Sequence, residues 1–166
     1  GANDFIMSNV VETTGSLAGD IITDFVVANT DQIGNFSLSN LKLLTALTDL
    51  VELSGATTII EEAVDTGSVD LTVAPALNTV TAGVNLLTFS GNYATTAAFQ
   101  TAVRSATHTG LAAGDGFLTA FDDGTDTTVA LVTTALGTTA AISDAVVTEL
   151  ATLYGLADAT TLVEAN

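Results

Sequence analysis

The side chains best equipped for chemistry in this sequence are aspartates, and they fall into two groups. Asp20, Asp24 and Asp31 make the first; Asp115, Asp122, Asp123 and Asp126 make the second. Carboxylates gathered with Gly, Asn and Thr supply hard oxygen ligands, which suit Ca2+. Asp20 and Asp24 stand four positions apart, so on a continuous strand both would point to the same sheet face. Asp31, across a short turn, could complete an oxygen cage with backbone carbonyls. The same residues also read as turn and cap aspartates, because Asp bonds its own backbone. The run Asp122-Asp123-Gly124-Thr125-Asp126 lacks the length and the final Glu of an EF-hand loop. It reads as a cation-binding turn or as a solvated hairpin turn.

Other chemistries find little to work with. There is no cysteine, which excludes a thiol nucleophile, a zinc–thiolate site and disulfides. His108 is the only histidine, so any Ser–His–acid triad would have to use it, and no Gly-x-Ser-x-Gly turn accompanies it. Its position after a predicted helix suits a cation near the last carbonyls. Glu61 and Glu62 are adjacent, so on a strand they face opposite ways and cannot act as a pair. No phosphate-binding or dinucleotide fingerprint is present. A glycosidase would need two opposed acids in a cleft, and the sequence offers no way to choose a pair. With no Trp and only Tyr93 and Tyr154 as tyrosines, a sugar-stacking platform is poorly supplied. The expectation is a protein that is not an enzyme.

Charge and composition narrow the partners. The 166 residues carry 19 acids against two bases, Lys42 and Arg104, for a formal net charge of -17. Nucleic acid and anionic membrane surfaces both require basic patches, so neither is an expected partner. No apolar stretch is long enough to insert into a membrane. Self-repulsion on this scale must be met by salt or by bound cations. At 48% hydrophobic residues the chain can build a core without staples. The abundant surface threonines could carry O-linked sugar. No signal peptide is evident at the start, and an opening on Gly1 reads as an excised piece or a mature chain.

The elements that must position these residues are mostly strands. Val, Ile and Thr are stiff at the first side-chain torsion and favour pleated backbone. Strands are predicted at 3–7, 21–27, 33–38, 57–64, 69–73, 78–80 and 84–89, with a turn at Ser90-Gly91-Asn92. Leu41 to Leu53 is ambiguous: Leu43, Leu44, Leu47, Leu50 and Val51 fall at helical spacing. The clearest helix spans 95–106, with Thr95 or Thr96 as cap, a stripe of Phe99, Ala102, Val103 and Ala106, and Gly110 as stop. Gly116 to Phe121 and Thr127 to Val132 flank the acidic turn as a hairpin, with Phe117, Thr119 and Phe121 on one face. Ala145 to Leu153 suits helix or strand. The predicted fold is mainly β, a β-sandwich or β-roll-like arrangement with one or two short helices. It forms a single domain over 1–166, with a strand-rich opening segment 1–40 packed on 41–166.

Two stretches carry a family resemblance. Gly1-Ala2-Asn3-Asp4-Phe5-Ile6, then Gly19-Asp20-Ile21-Ile22-Thr23-Asp24-Phe25-Val26 and Asp31-Gln32-Ile33, resemble the end of an RTX β-roll. Gly114-Asp115-Gly116-Phe117-Leu118 with Phe121 to Thr127 is similar to a hairpin in C-terminal regions of such proteins. The chain as a whole resembles C-terminal domains of type I secreted RTX-type surface proteins, including cyanobacterial ones, over roughly residues 1–40 and 110–166. The resemblance implies folding outside the cell, calcium dependence, and Asp4, Asp20, Asp24 and Asp31 as ligand candidates. The full glycine-rich nonapeptide repeat is missing, so a roll-type site would need ligands from upstream sequence or a neighbouring subunit. Two functions follow as expectations. One is a calcium-stabilised structural subunit of an extracellular fibre or surface layer, assembling with copies of itself through strand edges. The other is a secretion and folding cap of a larger RTX adhesin or secreted enzyme.

Overall fold

The β-forming runs do pair, and the partners they choose are often far away in sequence. A computed structural model describes residues 4–6, 20–23, 32–34, 49–52, 57–58, 66–70, 86–107, 111–137 and 141–162. Within them the strands are β1 (Asp4–Ile6), β2 (Asp20–Ile22), β3 (Gln32–Gly34), β4 (Asp49–Glu52), β5 (Thr57–Thr58), β6 (Thr66–Asp70), β7 (Leu86–Asn92), β8 (Asp115–Asp122), β9 (Thr127–Thr133) and β10 (Val146–Leu153). A helix, α1 (Thr96–Ser105), links β7 to β8, and a 3-10 turn spans Ala159–Thr161. The chain is mainly β with short helices.

β1 and β3 form a parallel pair of their own. The larger sheet is mixed. β8 pairs antiparallel with β9, and β9 antiparallel with β10. On its other side β8 meets β7 in parallel along Leu118 to Asp122, and β4 in parallel at Asp115 and Gly116. β6 lies parallel to β7, and β2 lies parallel to the last three residues of β10. A parallel neighbour needs a crossover rather than a tight turn, and α1 supplies it between β7 and β8.

The helix follows from its local sequence. Thr95 is extended, and its side-chain oxygen accepts a hydrogen bond from Ala98 N at 3.1 Å, satisfying one of the orphan donors of the first turn. The predicted stripe is the buried one: Phe99, Val103 and Ala106 are enclosed, with Ala102 beside them. The helix stops at Ser105 with Ala106 as cap, ahead of the predicted stop. Gly110 lies outside the described residues.

The core has two halves, one on each face of the sheet. On the helix side Leu87, Phe89, Tyr93, Phe117, Phe121, Ala130, Val132 and Ile142 pack against Phe99 and Val103. Phe99 stacks on Phe121 with ring centroids 4.0 Å apart, and Phe89 meets Phe99 edge-on at 4.9 Å. The other face gathers Leu86, Leu118, Ala120, Val129, Leu131, Leu150 and Leu153 with Ile22, Ala159 and Leu162. Every residue of β8 is buried. Burial of each large side chain contributes roughly 1.5–3 kcal/mol, so this strand anchors the sheet from both sides.

The structure departs from the sequence reading in several places. Asp49–Glu52 is a strand, so the helical alternative for Leu41 to Leu53 fails there. β2 ends at Ile22 and Thr23 sits in a bend, so the strand that would place Asp20 and Asp24 on one face does not run that far. Ser90-Gly91-Asn92 closes β7 instead of forming a separate turn, with a register shift between Phe89 and Asn92. The tail 146–153 is a strand. The predicted strand at 78–80 lies outside the described residues.

Candidate functional site

The acidic hairpin is the part of the predicted chemistry that can be followed atom by atom. β8 and β9 form the hairpin expected around the acidic turn, paired from Gly116 opposite Thr133 to Asp122 opposite Thr127. The four residues between them turn on Gly124, whose φ of +89° favours glycine. Asp123 Oδ1 accepts from Thr125 N at 2.8 Å and Asp126 N at 2.9 Å, a local turn closed by its own side chain. Those backbone donors from Asp126 and Thr125 hold the Asp123 carboxyl below the usual carboxylate range.

Asp122 and Asp126 reach further. Asp122 is buried, and its two oxygens accept from Gly124 N at 3.0 Å and Ala159 N at 3.2 Å. Its own carbonyl accepts from Tyr93 N at 2.8 Å. Asp126 Oδ1 accepts from Gly155 N at 2.7 Å, and Thr127 Oγ1 donates to the Leu156 carbonyl at 2.6 Å. The hairpin turn thus clasps the segment that leaves β10. Asp158 continues the pattern by capping the 3-10 turn, accepting from Thr160 N at 2.9 Å.

This sets what the cluster could hold. Both oxygens of Asp122 are engaged by main chain, while Asp123 and Asp126 each keep one oxygen, Oδ2, without a main-chain donor among the described residues. Ca2+ takes six to eight oxygen ligands, so these two oxygens fit it only as part of a larger set. Among the described residues no group of three or more His, Cys, Asp and Glu is gathered for a metal ion. Asp115, grouped with this cluster by sequence, stands at the other end of β8, about 20 Å away at the usual rise per strand residue. There it accepts from Ala112 N at 2.7 Å.

Of the first group, Asp4 and Asp20 take strand positions, opposite Gln32 and Ala151 respectively. Asp24 and Asp31 lie outside the described residues, as do His108, Glu61, Glu62 and Lys42.

Sequence reasoning missed two polar arrangements. Asp144 gathers the loop after β9: it accepts from Thr134 Oγ1 at 2.7 Å, Ala135 N at 2.8 Å and Leu136 N at 2.9 Å. Desolvation pushes its carboxyl up, but the bonds from Thr134, Leu136 and Ala135 outweigh this and leave it below the usual range. An aspartate just before a β-run was the available signal. The second arrangement lies on α1. Thr96 donates to the Glu149 carboxylate, Gln100 Oε1 accepts from Val147 N at 2.9 Å, and Arg104 Nε donates to the Ala145 carbonyl at 2.8 Å. Their spacing of four along the helix placed them in one row, legible beside the apolar stripe.

Among the described residues no helix is long and apolar enough to cross a membrane. The chain matches no protein-family profile, no curated protein and no solved structure.

Proposed function

We propose that this chain is a non-enzymatic structural β module of the cell exterior, a subunit that assembles with copies of itself and is stabilised by calcium. The observation that carries the reading is the use of the acids. Asp115, Asp122, Asp123, Asp126, Asp144 and Asp158 all accept hydrogen bonds from main-chain N–H groups. They brace loops at the ends of a sheet buried on both faces. A carboxylate held by main-chain donors serves first to fix a loop, and Asp122 has both oxygens so engaged.

Calcium enters this reading through charge. Copies carrying -17 each repel one another, and a divalent cation between carboxylates with an oxygen to spare, such as those of Asp123 and Asp126, lowers that repulsion. Asp4, Asp20, Asp24 and Asp31 are the further ligand candidates. Negative-stain microscopy with calcium and with chelator tests the proposal. Ordered fibres or sheets should form in calcium and disperse in chelator; monodisperse monomers at high calcium would overturn it.

A second reading, a secretion and folding cap of a larger RTX-type protein, draws support from one observation. Asp4–Ile6 and Gln32–Gly34 pair in parallel, the strand sense of a roll, within the stretch that resembles a roll's end. Export of a longer polypeptide with and without residues 110–166 separates the readings. Unchanged export would count against the cap.

A further inference from the structure

We propose that the Asp123–Gly124 link in the hairpin turn is the place where the folded chain rearranges to isoaspartate, and that Asp122 sets the rate by holding the Gly124 amide. The sequence contains two Asp-Gly links, Asp115–Gly116 and Asp123–Gly124, and no Asn-Gly link. At such a link no Cβ on the glycine obstructs its nitrogen from reaching the aspartate side chain. The Gly124 nitrogen attacks Cγ of Asp123 and loses its proton, the Cγ–OH bond breaks, and water leaves from a five-membered succinimide. Water then adds to the former main-chain carbonyl carbon of Asp123, and the bond from that carbon to the Gly124 nitrogen breaks. The main chain now runs through Cγ, and the product is an isomer of the starting chain.

The fold treats the two links differently. Asp115 and Gly116 are buried in β8, with Gly116 paired to Thr133 of β9 on one side and Leu50 of β4 on the other. The Asp115 side chain is engaged by Ala112 N at 2.7 Å. Closure there requires the central strand of the sheet to open, which draws on the stability of the core. Asp123 and Gly124 are exposed and lie between the strands, in the turn itself. Closure there requires only a local rearrangement of the turn.

Three hydrogen bonds restrain that rearrangement. Gly124 N donates to Asp122 Oδ1 at 3.0 Å, so the nitrogen that must attack Asp123 is committed to a different carboxylate. Asp122 is a fixed hold, because it is buried and its Oδ2 accepts from Ala159 N at 3.2 Å. Asp123 Oδ1 accepts from Thr125 N and Asp126 N, which keeps the carboxyl on residues beyond Gly124. Those amides, Asp126 ahead of Thr125, hold the Asp123 carboxyl below its usual range, and the neutral acid that can release water is correspondingly scarce. Rearrangement adds one atom to the main chain of the turn and moves the carboxylate that Thr125 N and Asp126 N now bind.

The test is isoaspartate mapping of the full chain by electron-transfer dissociation after incubation in mildly acidic buffer, with circular dichroism to confirm the fold. Each rate is taken relative to the same link in urea, which removes the effect of neighbouring sequence. In the folded wild type the relative rate at Asp123 should exceed that at Asp115 by at least about tenfold. Asp122→Ala removes one hydrogen bond to a charged group and should raise the folded rate at Asp123 by about tenfold, with Asp115 unchanged. Equal relative rates at Asp115 and Asp123 in the folded wild type overturn the site. A folded Asp122→Ala variant that rearranges at Asp123 as the wild type does overturns the role of Asp122. A rise shared equally by Asp115 overturns it too, because that pattern reports general opening. If the variant does not fold, the wild type still decides: a folded rate at Asp123 equal to its rate in urea overturns the restraint.

Discussion

The two ends of the β8–β9–β10 sheet are built from the same parts and hold together in different ways. At one end Asp122 and Asp126 reach across the chain to Ala159 and Gly155. At the other Asp144 collects three hydrogen bonds from a single loop, at Thr134, Ala135 and Leu136. Asp122 makes fewer bonds but is 3% exposed, whereas Ala135 and Leu136 lie nearer solvent, Leu136 at 79% exposure, and water can stand in for a lost acceptor there. Burial, more than the number of bonds, decides what a loop aspartate contributes.

The most direct challenge to this contrast is to remove each acid in turn. Asp122→Ala strands the Ala159 amide in the interior and should cost about 3 kcal/mol. Asp144→Ala should cost about 1 kcal/mol. Urea unfolding midpoints at constant slope measure both, and an Asp144 effect equal to or larger than the Asp122 effect would reverse the ranking.

The turn glycines give the opposite ranking. A Cβ on Gly137 would sit 2.7 Å from the Leu111 carbonyl oxygen and 2.9 Å from the Ala112 carbonyl carbon, and φ there is +69°. A Cβ on Gly124 would also meet an atom at 2.7 Å, but that atom is the end of the Asn92 side chain, which can turn away. Gly137→Ala should cost roughly 2–3 kcal/mol and Gly124→Ala about 1 kcal/mol. Equal losses in thermal unfolding would show that Asn92 is as fixed as backbone.

Acid should weaken both ends. Asp123 and Asp144 both have folded-state values below the usual range, which lies near about 3.9 for an unfolded chain. The stability they add is present above that value and is lost as pH falls through their folded values. Relief of repulsion among 19 acids works the other way, so the variant series isolates the effect. Asp123→Ala and Asp144→Ala should each show a shallower loss than wild type as pH falls below about 4. Parallel curves would contradict the assignment. The smallest effect on the contrast is expected midway between the ends. Thr119 Oγ1 is buried and has no hydrogen-bond partner among the described residues. Thr119→Val should therefore stabilise by about 1 kcal/mol without changing the difference between the ends, as differential scanning calorimetry can read.

The sequence made some of this legible and hid the rest for identifiable reasons. The helix over Thr96–Ser105 and the hairpin around Gly124 depend on neighbours a few residues apart, and both were readable from cap, stripe and turn residues. β4 was not. Leu50 and Val51 satisfy helical spacing, and what makes them a strand is β8, far along the chain, together with β5. Polar alternation also fails as a guide where both faces are covered, since Phe117 to Phe121 are all buried. The acids were visible as a cluster, but not the amides they would meet. Gly155 and Ala159 have no side-chain chemistry to announce that a hairpin carboxylate will find them.

The pairing of β2 with β10 sets a schedule for the whole molecule. Asp20 to Ile22 belong to the opening part of the chain, and their sheet partners, Ala151 to Leu153, belong to its last strand. The entropy of closing so long a loop must be met before that contact contributes anything. A chain delivered gradually, in either direction, cannot seat this pair until everything between Asp20 and Leu153 has arrived. That pairing therefore waits on the arrival of Ala151 to Leu153, and a polypeptide cut short before Ala151 lacks the strand that Asp20 to Ile22 pair with.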